Sequence, residues 1–226
     1  MNISKQSQRV FLLGVGAQKA GTSWLHQQLG ARKDTDFGFL KEYHIFDALY
    51  HEEYACFKPK QPKPWKWRTW QRSQFIDNPK RYFDYFEKKL SRKKICLTGD
   101  ITPSYACLTA KTYKLIRNEF KQRNILTRSI FLMRDPIERF LSQHRMQLRK
   151  MGKLKPEYES DYLRNASIKL PKRNCLRSNY PATIDALKAG LNIDEVFIGL
   201  YETMFSPGEH NQLCNFLQIS GQKSNL

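Results

Sequence analysis

Acidic residues are scarce in this chain. Its 226 residues carry 21 Asp and Glu against 39 Lys and Arg, a formal charge of +18. A surface so poor in negative charge attracts anions, and nucleotides, sulfated or carboxylated sugars, nucleic acid and acidic lipid all fit. Cysteine is sparse as well: Cys56, Cys96, Cys107, Cys175 and Cys214 are odd in number, widely spaced and form no C-x-x-C pair. That pattern speaks against a disulfide framework or a zinc site and for reduced thiols in a cytosol-like compartment. No apolar run approaches the ~20 residues of a membrane span. The first strand-like run begins near Arg9, with no room ahead of it for a signal peptide, so a cytoplasmic location is expected. Internal repeats and low-complexity segments are missing too. With 40% hydrophobic residues the chain can build a core, and its length suits one sizeable domain spanning residues 1–226.

Four continuous apolar runs stand out: Val10–Val15, Lys94–Gly99, Ile125–Arg134 and Val196–Tyr201. Helical stretches fall between and after them. They cover about Thr22–Leu29, the RYFDYFEKKL segment opened by Asn78-Pro79, about Ala110–Phe120, the segment opened by Asp135-Pro136, Pro181–Leu187 and about Pro207–Leu217. Strands that are apolar throughout, alternating with helices, predict an α/β fold with a central parallel sheet covered on both faces. Ligands in such sheets bind beyond the carboxyl ends of the strands. Pro59, Pro62 and Pro64 speak against a regular helix in CFKPKQPKPWKWRTWQR, so about 56–78 reads as a long loop or insertion. Its Trp65, Trp67 and Trp70 alternate with Lys60, Lys63, Lys66 and Arg68. They could stack on bases or sugar rings on the acceptor side of a site, or pack the insertion onto the domain.

The stretch VFLLGVGAQKAGTSW runs from a strand through a glycine turn into a helix start. Glycines let the backbone approach an anion, and helix-start N–H groups point at it. The spacing Gly16-x4-Gly21 is that of a P-loop, but the lysine a Walker motif needs after the second glycine is absent. Thr22 stands there, and Lys19 lies inside the loop instead. The turn therefore suits a phosphate-like group without being arranged for ATP or GTP hydrolysis. A second anion site is suggested by FLMRDPIERFLSQHR, where Arg134 ends a strand and Ser142 follows about two turns into a helix.

Together with KEYHIFD (Lys41–Asp47) and GDITPSY (Gly99–Tyr105), these motifs resemble the PAPS-dependent sulfotransferases, closest to the Golgi glycosaminoglycan branch and its bacterial relatives. The likeness runs from about Arg9 to Leu217. The family's K-x-G-T-[ST] loop is Lys19-Ala20-Gly21-Thr22-Ser23 here, and its R-D-P-x-x-R-x-x-S motif is matched at each fixed position from Arg134 to Ser142. The resemblance implies a P-loop-like three-layer fold and transfer of a sulfuryl group from 3′-phosphoadenosine 5′-phosphosulfate (PAPS) to a hydroxyl or amine. It implies that Gln18, Lys19, Ala20, Gly21, Thr22, Ser23 and Trp24 hold the 5′-phosphosulfate, while Arg134 and Ser142 hold the 3′-phosphate. It further implies that Lys19 stabilises the leaving group and that Glu42 is the base. His44 joins them at the catalytic centre as a hydrogen-bonded neighbour. The acceptor implied is a carbohydrate or small molecule, with an anionic one compatible, and no metal is required.

Two departures stand out. The family's E-K-[ST]-P-x-Y segment appears as Asp100-Ile101-Thr102-Pro103-Ser104-Tyr105, without the lysine that meets an acidic sugar. The basic closing loop is also absent, unless Arg173–Tyr180 or Gly221-Gln222-Lys223 supplies it. A nucleotide kinase is the first alternative, opposed by Thr22. A nucleic-acid-binding module is the second, and it leaves the coexistence of the two anion motifs unexplained.

Overall fold

A computed structural model describes residues 8–152, 160 and 172–219. Four parallel strands form one sheet: β1 (Val10–Gly16), β2 (Leu97–Ile101), β3 (Leu126–Met133) and β4 (Val196–Leu200), in the order β2-β1-β3-β4. All seven residues of β1 are buried, as an apolar strand at the centre of a helix-covered sheet must be. Polar residues carry β2 further than its apolar run predicts. It begins at Leu97 and extends through Thr98 and Asp100, both fully buried, because each finds partners. Thr98 Oγ1 donates to the Asp36 carbonyl at 2.6 Å, and Asp100 accepts several hydrogen bonds.

Helices flank the sheet: α1 (Thr22–Gly30), α2 (Phe46–Tyr50), α3 (Trp67–Asp77), α4 (Lys80–Leu90), α5 (Ala110–Gln122), α6 (Pro136–Lys150), α7 (Lys172–Ser178), α8 (Tyr180–Gly190) and α9 (Pro207–Phe216). On α4, Tyr82, Phe83, Phe86 and Leu90 recur at helical spacing and are buried, while Arg81, Asp84 and Lys88 face solvent. These rings gather on Phe11 of β1, which stacks on Phe120 at 3.9 Å and meets Phe86 edge-on at 5.0 Å. Each fully buried ring contributes about 1.5–3 kcal/mol by leaving water. Asp135 caps α6, accepting from the Ile137 and Glu138 N–H groups at 2.9 Å, with Pro136 in the first turn.

The stretch read as a loop over about 56–78 is half helical. Its prolines act only as far as Pro64, and α3 begins three residues later at Trp67, where nothing opposes a helix. Ser73 and Phe75 then bury one side of it. The region from Met151 to Lys172, and Gly221-Gln222-Lys223, fall almost wholly outside the described residues. Among the described residues no helix is long and apolar enough to cross a membrane.

Candidate functional site

From β1 the chain crosses to β2 on one side and then returns to place β3 on the other. Where neighbouring crossovers diverge, a crevice opens beyond the carboxyl ends of the strands. A cleft of about 470 Å³ lies there, walled by the turn after β1, the Lys41-Glu42 segment, Pro103, Arg134, α6 and the chain after β4.

The turn after β1 is shaped for close approach. Lys19 and Gly21 both take the left-handed conformation, at φ 69° and 82°. A Cβ on Gly21 would stand 2.6 Å from Met204 Sδ, so conformation and space both demand glycine. Gly21 is also the N-cap of α1 and offers no side chain to its first amides. Those orphan N–H groups, at Gly21, Thr22 and Ser23 in the cleft wall, are donors for an anion.

Cations crowd the same wall. Arg134 Nη1 donates to the Lys19 carbonyl at 3.2 Å, and its guanidinium lies 4.6 Å from the Tyr201 ring centre. Glu138 pairs with Arg134 Nη2 at 3.3 Å, and Tyr180 OH donates to the Arg134 carbonyl at 2.8 Å. Burial lowers the Lys19 pKa from its ordinary value, and the charges of Arg149, Arg134, Lys41 and Lys150 add to that. A negative ligand would relieve this mutual repulsion. Lys41 Nζ bridges three groups, donating to Thr22 Oγ1 at 3.3 Å, Ser23 Oγ at 3.0 Å and Glu42 Oε1 at 2.9 Å.

Behind Glu42 lies a line of ionisable groups. His44 Nε2 is 3.3 Å from Glu42 Oε2, and His44 Nδ1 is 2.7 Å from Asp47 Oδ2. The Asp47 carboxylate is fully buried and also accepts from Ser104 Oγ at 2.5 Å. Phe57 stacks on the imidazole, ring centres 3.8 Å apart. Burial alone would push Glu42 up, but the hydrogen bond from His44 and the charge of Lys41 outweigh it and hold the carboxyl at about 2. Burial alone would push His44 down, but hydrogen bonds to Asp47 and Glu42 raise it to about 9. At neutral pH Glu42 is therefore ionised and His44 protonated.

The GDITPSY segment clamps KEYHIF in place. The Asp100 carboxylate accepts from Thr102 Oγ1 at 2.6 Å, Tyr105 OH at 2.8 Å, Tyr82 OH at 3.0 Å and the Tyr43 amide at 3.3 Å. Tyr105 OH accepts from the Ile45 amide at 3.1 Å, and Thr102 Oγ1 from the Tyr43 amide at 3.0 Å. Burial pushes Asp100 up to about 6 in spite of these donors. The short segment bearing Glu42 is thus anchored to the end of β2 on both sides.

Of the residues singled out in the sequence, Gln18, Lys19, Gly21, Thr22, Ser23, Trp24, Glu42, Arg134 and Ser142 all wall this cleft. Ala20 and His44 do not. The Ala20 methyl turns into the core, and His44 stands behind Glu42 with 13% of its side chain exposed. Lys41, Pro103, Met146, Tyr201 and Phe205 complete the wall and were not anticipated. Lys41 stands beside Glu42 in the KEYHIF motif, which was the available signal. Tyr201, just past the end of β4, lines the cleft under Arg134. Arg177 of α7 reaches the glycine turn and donates to Gln18 Oε1 at 2.6 Å. Arg177 and Tyr180 thus bring the Arg173–Tyr180 stretch to both anion motifs.

No family model and no curated protein matches the chain. Among solved structures it is similar to a sulfotransferase from Alicyclobacillus acidocaldarius, with a TM-score of 0.60 and 14% identity, over 94% of this chain and 81% of that one. It is also similar to the sulfotransferase domain from the curacin biosynthetic pathway, with a TM-score of 0.50 and 13% identity, over 95% of this chain and 75% of that one. At such identities the likeness is one of architecture: a parallel sheet flanked by helices, P-loop-like, in the fold of these sulfotransferases.

Proposed function

We propose that the chain is a sulfotransferase that takes its sulfuryl group from 3′-phosphoadenosine 5′-phosphosulfate and passes it to a hydroxyl or amine of a carbohydrate or small molecule. One observation carries the reading. Two anion motifs more than a hundred residues apart, and the carboxylate between them, converge on one cleft. A donor with phosphate at two ends of one nucleoside calls for such a pair of grips.

The bound donor supplies an activated sulfuryl group on an anionic leaving nucleotide. The residues around it have separable tasks. The amides at the start of α1, with Thr22 and Ser23, hold the oxygens beside the reacting sulfur. Lys19, crowded by like charge, meets the negative charge that builds on the leaving oxygen. Arg134 and Ser142 hold the remote phosphate, and Arg177 steadies Gln18. Glu42 takes the acceptor's proton. A carboxylate held at about 2 is a weak base while Lys41 and His44 both contact it. An anion on the loop competes for Lys41, which already touches Thr22 and Ser23. Drawing Lys41 away strengthens the base only when donor is present.

The test is a thermal-shift titration with adenosine 3′,5′-bisphosphate beside ATP and AMP. A ligand bound only by the folded state raises stability by about 2.7 kcal/mol at a hundred times its Kd. The bisphosphate stabilises most, and Arg134→Ala removes that preference. Lys19→Ala abolishes transfer at unchanged stability. Equal stabilisation by AMP, or undiminished turnover in Lys19→Ala, rejects the proposal.

A further inference from the structure

Eight consecutive residues, 63–70, are exposed, and three of them are tryptophan. Trp65 is 74% exposed, Trp67 53% and Trp70 37%. Local structure holds them out. The Lys66 amide donates to the Lys63 carbonyl at 2.9 Å, closing a turn with Pro64 at its second position, and Trp65 stands at the tip. Trp67 opens α3, and Trp70 is its neighbour three residues on, while Ser73 and Phe75 are buried. Trp67 leans on Phe39, ring centres 5.1 Å apart, which fixes the base of the patch.

Charge of one sign surrounds the indoles. Residues 54–76 contain six cations and no Asp or Glu. Arg72 turns inward and donates to the Phe57 carbonyl. The other five, Lys58, Lys60, Lys63, Lys66 and Arg68, are exposed. Lys63 Nζ lies 5.2 Å from the Trp65 ring centre, and the Arg68 guanidinium 5.6 Å from that of Trp67.

This combination narrows the partner. The core of a protein interface is depleted of charge, and of lysine in particular. Single-stranded nucleic acid stacks its bases on open ring faces along a groove. Here Trp65 stands on a turn tip, and both rings already carry a cation over one face. A lipid surface takes both features at once. Indoles favour the headgroup layer, and acidic headgroups attract each Lys or Arg close to them.

We propose that the 58–70 surface docks the protein on an acidic lipid bilayer, with Trp65 and Trp67 at headgroup level and the surrounding lysines and Arg68 on the anionic headgroups. The inference goes beyond the sulfotransferase reading and does not depend on it.

Co-sedimentation with two kinds of vesicle tests it, phosphatidylcholine alone and phosphatidylcholine with phosphatidylglycerol in equal parts. The mixed vesicles bind the wild type, the neutral ones bind it far more weakly, and added salt releases it. Lys63→Ala/Lys66→Ala/Arg68→Ala weakens binding at least about tenfold, since each cation near such a surface adds about fivefold. Lys111→Ala/Lys114→Ala/Lys121→Ala removes the same charge from exposed positions of α5 and weakens it far less. Brominated phosphatidylcholine in the mixed vesicles quenches the tryptophan fluorescence of bound protein. Trp65→Ala lowers both the quench and the affinity while keeping the wild-type melting temperature. No preference for the mixed vesicles, an equal loss in the α5 variant, or no quenching overturns the proposal. Oligothymidylate bound through Trp65 while the vesicles are ignored assigns the surface to nucleic acid and overturns it as well.

Discussion

Replacing His44 with Asn should cost stability at pH 6 and much less at pH 10. The imidazole bridges Glu42 and the fully buried Asp47, and only 13% of it is exposed. Its pKa rises from 6.5 to about 9 because those hydrogen bonds outweigh burial. Below 6.5 the imidazole is protonated in the folded and unfolded chain alike, and the stabilisation is fully present. As pH rises from 6.5 through about 9 the unfolded chain loses its proton first, and the advantage drains away. The interval between those two values corresponds to about 3 kcal/mol at ~1.4 kcal/mol per pH unit. His44 has φ 52°, and Asn tolerates that left-handed region, so the substitution adds little strain of its own. Urea unfolding of both proteins at pH 6, 8 and 10 measures the gap, and groups titrating equally in both drop out of the difference. The gap should shrink by about 3 kcal/mol from pH 6 to pH 10. A constant gap would refute the charged Glu42–His44–Asp47 row, and with it the account of how Glu42 stays ionised.

Two further outcomes follow from the same geometry. Gly21→Ala forces a left-handed alanine against Met204 Sδ and should cost about 2–4 kcal/mol in urea unfolding, strain and overpacking together; a loss below 1 kcal/mol would mean the turn relaxes freely. Lys41→Met removes a cation that helps hold the Glu42 pKa down in the donor-free enzyme, so the carboxyl should titrate at higher pH, and the acidic limb of the kcat/KM profile for the donor, which reports the free enzyme, should move up with it. An unmoved limb would separate Glu42 from the proton transfer.

Much of this arrangement is legible from residue order. The unbroken apolar run at β1 and the apolar Ile130–Met133 stretch of β3 announce buried parallel strands, and Asp135-Pro136 announces the start of α6. Gly21-Thr22-Ser23 announces a glycine turn that opens α1. Other parts are not legible. Thr98 and Asp100 look like the end of a strand until Asp36, Tyr82 and Tyr105 are seen to satisfy them. The prolines at 59, 62 and 64 hide the helix that begins at Trp67. His44 looks like a candidate at the reacting centre, yet its exposure and partners put it behind Glu42. Lys41 is marked only by its place beside Glu42, and its reach to Thr22 and Ser23 shows only in the fold.

Local chemistry therefore decided most of the strands and helices and where a glycine turn opens α1, since burial pattern, caps and left-handed glycines act within a few residues. The tertiary structure decided which distant side chains share a cleft and how Lys41 and His44 set the charge on Glu42. Those depend on distances across the sheet, because a pKa or a binding site is set by neighbours in space, and residues such as Lys41 and Thr22, or Tyr43 and Asp100, become neighbours only when the chain has folded.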